Sequence, residues 1–540
     1  MNRTHANHNS RVSPAVYWLA AFFLVATLLV LFGTTGRTRT LIANTLRMAA
    51  GTMAIGLPIG TILAWTLCRT NVPFRRLGIF VTCVMLFMPL YLQTAGWDAG
   101  FGDQGWFQIV GDRIANRSLL SGWRGAIWVH GMASVAWVAL IVTVGFQSIA
   151  PEWEEAASLE AGNWLVFRTV VLPHLVGSIV VAAVWILVTT AGEITVTDVF
   201  QIRTYAEELY IGYARNVPEA QGANVAPLEI SRWVGIALTA WLALGALVVC
   251  VWLWPARYVT SRRSPFVVEL GAWRWVTGAA LIAFVIFWCG VPIGNLFFKL
   301  GITVTQVGEE RIRGWSLVKA GKLLASAPGS FQEELGWTLL ISQAAALAAI
   351  VLGVALAWLA LLRRSLAVAI GLLLAIMMAT PGPTLALLII RFVNQPELPA
   401  MTWLYDRTIF APWLGIMIRC LPIVTLVLWV SFRTIPAVEL ETAELAGVGR
   451  IGQLFRIVIP QRFAAIACAW FVCVALATGE LTASILLVPP GITTLAIRIF
   501  GLVHYGVEDR LAALCLCSIL LFAGFATAVM ITMSYWRRQR

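Results

Sequence analysis

The chain is built from long apolar runs separated by shorter polar segments. About 20 apolar residues suffice to cross a bilayer as a helix. Twelve such runs are legible, at roughly 15–33, 44–67, 77–96, 124–147, 175–198, 232–254, 273–296, 335–361, 366–390, 412–432, 463–488 and 511–535. The first follows a polar leader containing His and Asn, not the basic start of a signal peptide, and no convincing small-residue cleavage site accompanies it, so it reads as a retained helix. The predicted fold is an all-α polytopic membrane protein with about 12 transmembrane helices.

Short basic clusters set the expected orientation. Arg69, Arg75 and Arg76 follow the second run. Arg257, Arg262, Arg263 and Arg274 follow the sixth, Arg363 and Arg364 the eighth, and Arg537, Arg538 and Arg540 close the chain. With an even number of spans these clusters share one side, which the positive-inside rule makes cytoplasmic together with both termini. The opposite loops, such as 97–123, 199–231 and 297–334, are longer and mixed in sign.

The pattern repeats. Ala43-Asn44-Thr45-Leu46 opens a run that ends Leu63-Ala64-Trp65, and Gly336-Trp337-Thr338-Leu339 opens one that ends Leu356-Ala357-Trp358; Thr45 to Thr338 and Trp65 to Trp358 are both shifts of 293. A polar loop recurs between the fourth and fifth run of each half. It runs from Ser148 through Pro151, Glu155-Ala156-Ala157 and Ala161-Gly162 to Leu172-Pro173, and again from Thr434 through Pro436, Glu441-Thr442-Ala443 and Gly447 to Ile459-Pro460. Self-similarity at this scale is the mark of an internal duplication. It divides the chain into an N-terminal segment with the first span (1–40), a first domain (41–254) and a linker with the seventh span and an external loop (255–333). A second domain (334–535) and a basic tail (536–540) follow. The two six-helix halves are expected to be related by a pseudo-twofold axis.

Each repeated loop predicts a short helix. Pro151 or Pro436 suits a helix start, and Glu residues crowd the first turns where the helix dipole favours them. Trp153, Leu159 and Trp164, or Leu440, Leu445 and Ile451, supply apolar contacts, and Gly162, Gly447 and Gly449 break the helix. A small knobbed helix exposed to the cytoplasm is a plug for a groove on a partner. The bland alternative is an interfacial helix lying on lipid headgroups; two copies at matching places favour docking.

Two carboxylates also recur. Glu193 stands 20 residues past Pro173 and Glu480 stands 20 past Pro460, within Ala191-Gly192-Glu193-Ile194-Thr195 and Thr478-Gly479-Glu480-Leu481-Thr482. A carboxylate at such depth faces protein or a water-filled path. Lining a path for a cationic cargo is one role; bonding backbone groups or an arginine such as Arg391 or Arg419 is the other. His130, alone in the fourth run, reads as a packing histidine.

Composition agrees with the apolar runs. Apolar residues make up 60% of the 540 residues and charged residues 12%, and the mean hydropathy is +0.84. That is too little charge to cover a soluble globule, and too apolar for disorder. The net charge of +12 does not indicate nucleic-acid binding, because the arginines fall in short clusters between spans rather than in one patch. The nine cysteines lie in or at the ends of apolar runs and read as packing residues. No GxxxxGK[ST] phosphate loop is present.

The two loops resemble the EAA loop found in the membrane subunits of binding-protein-dependent ABC importers. The second copy matches through Glu441-Thr442-Ala443, Gly447 and Ile459-Pro460, with Thr in place of the first Ala. The first matches through Glu155-Ala156-Ala157 and Leu172-Pro173, but Ala161 stands where Gly is expected, with Gly162 beside it to take over the turn, and the spacing is one residue short. The resemblance covers roughly 41–254 and 334–535. It implies that Glu155, Ala156, Ala157, Ala161, Gly162, Leu172, Pro173, Glu441, Thr442, Ala443, Gly447, Ile459 and Pro460 couple the chain to ATP hydrolysis. It further implies two copies of a separate ATPase subunit carrying the ATP, an extracytoplasmic binding protein, residence in the inner membrane, and no catalysis or cofactor in this chain. Tandem fusion is similar to the ferric-iron and thiamine systems, and the stretch Ser484 to Gly506, with Pro489-Pro490-Gly491, Arg498 and His504-Tyr505-Gly506, is more like the ferric-iron branch. The competing class is a secondary transporter, which also builds twelve spans in two halves but would carry its charged loop after the second span of each half.

Overall fold

The computed structural model describes residues 36–103, 105–107, 118–147, 149–215, 267–307, 310–395, 397, 399–505 and 508–539. The expected first and sixth spans, Arg257, Arg262, Arg263, Ser148, Gly506 and Arg540 lie outside the described residues.

Among the described residues seven helices are long and apolar enough to cross a membrane: Gly36–Arg69, Gly122–Gln147, Trp164–Ala191, Trp273–Gly301, Gln332–Leu362, Phe410–Phe432 and Asp509–Tyr535. Three further pairs qualify only as bent units. These are Arg75–Phe87 with Leu90–Phe101 at 103°, Arg364–Ala379 with Gly382–Val393 at 103°, and Arg450–Gln461 with Phe463–Thr478 at 77°. The chain is thus a multi-pass membrane protein, with seven such helices among the described residues, or up to ten if each bent pair is one span.

The bends correct four expected spans. The runs at 77–96 and 366–390 are not single helices: each stops before a proline, Pro89 or Pro381, which cannot donate to the preceding turn and disfavours helical geometry at Met88 and Thr380. The runs at 175–198 and 463–488 also end early, at Ala191 and Thr478, and restart as the short helices Thr195–Val199 and Ser484–Leu487. The segment 297–334, expected as an external loop, carries regular structure among the described residues. It holds an antiparallel hairpin, Ile302–Val307 with Glu310–Trp315, and the helix Leu317–Ser330, whose Lys319 pairs with Asp509 at 3.2 Å.

Small residues bring the long helices together. Gly36–Arg69 lies so close to Gly122–Gln147 that a Cβ at Gly60 would stand 2.6 Å from Val138 Cβ; one at Gly353 of Gln332–Leu362 would stand 2.8 Å from Val424 Cγ1 of Phe410–Phe432. In lipid, where apolar surface gives no net drive to association, such close approach and the dispersion it permits hold helices together. An equivalent hydrogen bond ties the first helix of each pair to a later short helix: Tyr205 N donates to Thr45 Oγ1 at 3.2 Å, and Leu495 N to Thr338 Oγ1 at 2.8 Å. The prolines of the two right-angled bends meet glycines of the opposite set. A Cβ on Gly479 would lie 2.6 Å from Pro89 Cγ, and one on Gly192 would lie 3.4 Å from Pro381 Cα.

Candidate functional site

The first polar loop forms the helix Pro151–Glu160, with Pro151 at its start and Glu152 and Glu154 in its first turn. Asn163–Val166 follows, then a π-helical turn Phe167–Val171 that leads into Leu172–Ala191. The second forms Ala437–Leu445, Arg450–Gln453 and a π-helical turn Leu454–Val458 before Ile459–Gln461. The wide turn has a cause. Pro173 and Pro460 lack an N–H and would crowd the carbonyl four residues back, and an extra residue in the preceding turn removes that conflict. The span Trp273–Gly301 repeats the device, with Ile286–Gly290 before Pro292.

The expected coupling residues sit on these helices and mostly face outward. Glu155, Ala156, Glu441 and Thr442 are exposed, Ala157 is half-buried and Ala443 is buried. The apolar knobs match in place and in exposure: Leu159 is 88% and Leu445 90% exposed, and Trp164 and Ile451 are each 74% exposed. Large apolar groups this bare, beside a row of glutamates, suit a docking surface or a helix lying on lipid headgroups, the two roles open from the sequence.

The two turns differ. Gly447 adopts φ +79°, and Val448 N donates to Ala443 O at 2.9 Å, a left-handed helix stop that glycine makes without strain. In the first loop Ala161 is extended at φ −142°, and Gly162 is not among the left-handed glycines. Gly162 therefore does not take over the role of Gly447; an alanine at the stop position resists the left-handed region, and the chain leaves the helix by an extended residue instead.

The loops are also anchored differently. Arg69, at the end of Gly36–Arg69, donates through Nη2 to Glu154 Oε1 at 2.7 Å and through Nη1 to Oε2 at 3.3 Å, and Nη2 also reaches Phe146 O at 2.8 Å. Burial pushes the Glu154 carboxyl above its ordinary range, and the Arg69 guanidinium opposes that shift. In the second loop Gln453 Nε2 donates to Leu440 O at 3.3 Å and Val448 O at 3.2 Å. Sequence reasoning counted Arg69 only as an orientation charge; nothing in the spacing marks a partner 85 positions away.

Glu193 and Glu480 occupy the breaks after the two shortened helices. Glu193 accepts from Thr195 N at 2.6 Å and Val196 N at 3.0 Å, and lies 3.6 Å from His130 Nε2. Glu480 accepts from Ala483 N and Ser484 N, each at 3.1 Å, and from Thr482 Oγ1 at 2.6 Å, with Arg419 Nε at 3.8 Å. Each carboxylate accepts from the backbone amides that open the short helix following it.

The chain is similar to a known transport protein. Over 214 residues the chain is 25% identical to the molybdenum transport system permease protein ModB of Escherichia coli. The alignment takes in 37% of this chain and 90% of ModB, and the protein of that name from strain O157:H7 matches equally. No family model matches the chain. The likeness supports a transport role and the ABC importer permease class that the two loops resemble; it does not single out the ferric-iron or thiamine branch.

Proposed function

We propose that this chain is the fused transmembrane permease of an ATP-driven importer. Domains 41–254 and 334–535 form two halves about a pseudo-twofold axis, and each presents one coupling helix to one copy of a separate ATPase subunit. The observation that carries this reading is the repeated exposed helix, with its bare leucine, its glutamates and its π-helical turn before a hydrophobic-Pro pair. That 90% of ModB aligns with 37% of this chain supports two permease domains in one polypeptide. A binding protein delivers cargo on the outer face of the inner membrane, ATP binding closes the ATPase pair on the cytoplasmic face, where both termini lie, and the halves alternate access.

For the cargo, a small oxyanion of the molybdate kind is the first choice, from the ModB likeness. Engagement of Glu193 and Glu480 with backbone amides weakens the specific reason for a cation. Ferric iron is the second choice, favoured by the segment 484–506. The test is reconstitution with the ATPase and binding protein encoded beside it, and uptake of radiolabelled molybdate and ferric iron. Glu441→Arg and Gly447→Asp should abolish uptake at wild-type membrane levels; normal uptake in both, or no ATPase retained by the purified chain, refutes the reading.

A further inference from the structure

The two coupling helices are anchored to different parts of the membrane bundle. The Arg69–Glu154 pair is deeply buried, with side chains 4% and 5% exposed. Its guanidinium touches three elements at once: the helix it terminates, the coupling helix Pro151–Glu160, and Phe146 at the end of Gly122–Gln147, whose carbonyl it binds and whose ring lies 5.4 Å away. A two-point fork of this kind fixes direction as well as distance. The helix that Arg69 ends is continuous over 34 residues. Near its other end Asn44 Nδ2 donates to Arg203 O at 2.9 Å and Thr45 Oγ1 accepts from Tyr205 N, so that helix holds the segment following the Glu193 break.

The second loop is built otherwise. Leu362 stands where the repeat would place the counterpart of Arg69, since both lie four residues past the matched Trp65 and Trp358. Among the described residues its coupling helix is braced within its own loop by Gln453, and by Gln461 Nε2 donating to Glu439 just before the 77° bend.

We infer that Arg69 and Glu154 are positioning residues that carry displacement of the first coupling helix into helix Gly36–Arg69, through a buried ion pair for which Leu362 offers no counterpart in the second half. The inference rests on the proposed function. The two ATPase inputs then enter the membrane by different paths: the first along Gly36–Arg69 to its outer end, the second through the bent pair Arg450–Thr478.

Hydrogen exchange of the complex with its ATPase, with and without ATP, separates the two paths. The segments to follow are 36–46 and 332–342, the corresponding outer ends of the two long helices. The variants are Arg69→Met, Glu154→Gln and the double variant. Each single change strands a buried charge and lowers folded yield, whereas the double variant is neutral and regains it. In the double variant the ATP-dependent change at 36–46 should fall by about five-fold or more, the low end of ordinary site-to-site coupling, while the change at 332–342 persists. Wild-type responses at both segments overturn the inference. So does equal loss at both, because a link confined to the first loop leaves the second input intact. A wild-type complex that answers ATP at neither segment, or retains no ATPase, instead removes the proposed function on which the inference stands.

Discussion

Glu480→Gln tests what the recurrent carboxylates do. The substitution keeps size and one acceptor oxygen but turns the other oxygen into a donor. Glu480 accepts from Ala483 N through both oxygens, from Ser484 N through Oε2 and from Thr482 Oγ1 through Oε1, so the substitution leaves these donors one oxygen to share and puts an N–H against at least one of them. Losing one charge-assisted bond to a helix start costs about 1.5–3 kcal/mol. The nearby Arg419 contributes less than the amides, because its Nε stands 3.8 Å from Glu480, beyond hydrogen-bonding distance, and its Nη1 keeps the Thr380 carbonyl at 3.1 Å. The expected loss is about 2 kcal/mol, roughly thirty-fold in the folded-to-unfolded ratio. Heating the detergent-solubilised chain and following its monodisperse fraction reads that loss, and uptake normalised to folded protein reads function. The midpoint should drop for Glu480→Gln, and likewise for Glu193→Gln, with uptake per folded molecule unchanged. An unchanged midpoint with slower normalised uptake would refute the capping argument and put these carboxylates on the cargo path.

Other consequences are open to direct measurement. Gly447→Ala should cost about 1 kcal/mol by forcing a side chain into the left-handed region, whereas Gly162→Ala, with nothing near its Cβ position, should leave the melting midpoint within error. Gly382→Ala should destabilise by about 1–3 kcal/mol through overpacking, because its Cβ would stand 2.2 Å from Thr482 Oγ1, while Gly192→Ala, at 3.4 Å from Pro381 Cα, should be tolerated in the same melting assay. The isolated chain should bind no ATP in equilibrium dialysis, and native mass measurement of the assembled complex should give one copy of this chain with two ATPase subunits.

Much of the molecule was legible in the residue order because its cause is local. A bilayer imposes a minimum apolar length, so runs of that length announce spans wherever they occur. Ten of the twelve expected spans have counterparts among the described residues, seven as unbroken helices and three as bent pairs. The short helices of the two polar loops were legible for a similar reason: their prolines, glutamates and small residues act within a turn or two. Where a helix yields, and what a buried charge meets, depends instead on neighbours brought in from distant parts of the chain. Pro58 and Pro422 lie inside continuous helices, yet Pro89 and Pro381 stand at 103° bends. A missing N–H weakens a helix at all four, and the neighbours decide whether it breaks: Gly479 and Gly192 of the opposite set give Pro89 and Pro381 room to be reached closely. The Arg69–Glu154 pair was invisible for the same reason, since residues far apart in the chain become partners only once packing has excluded water and left each charge the other to face.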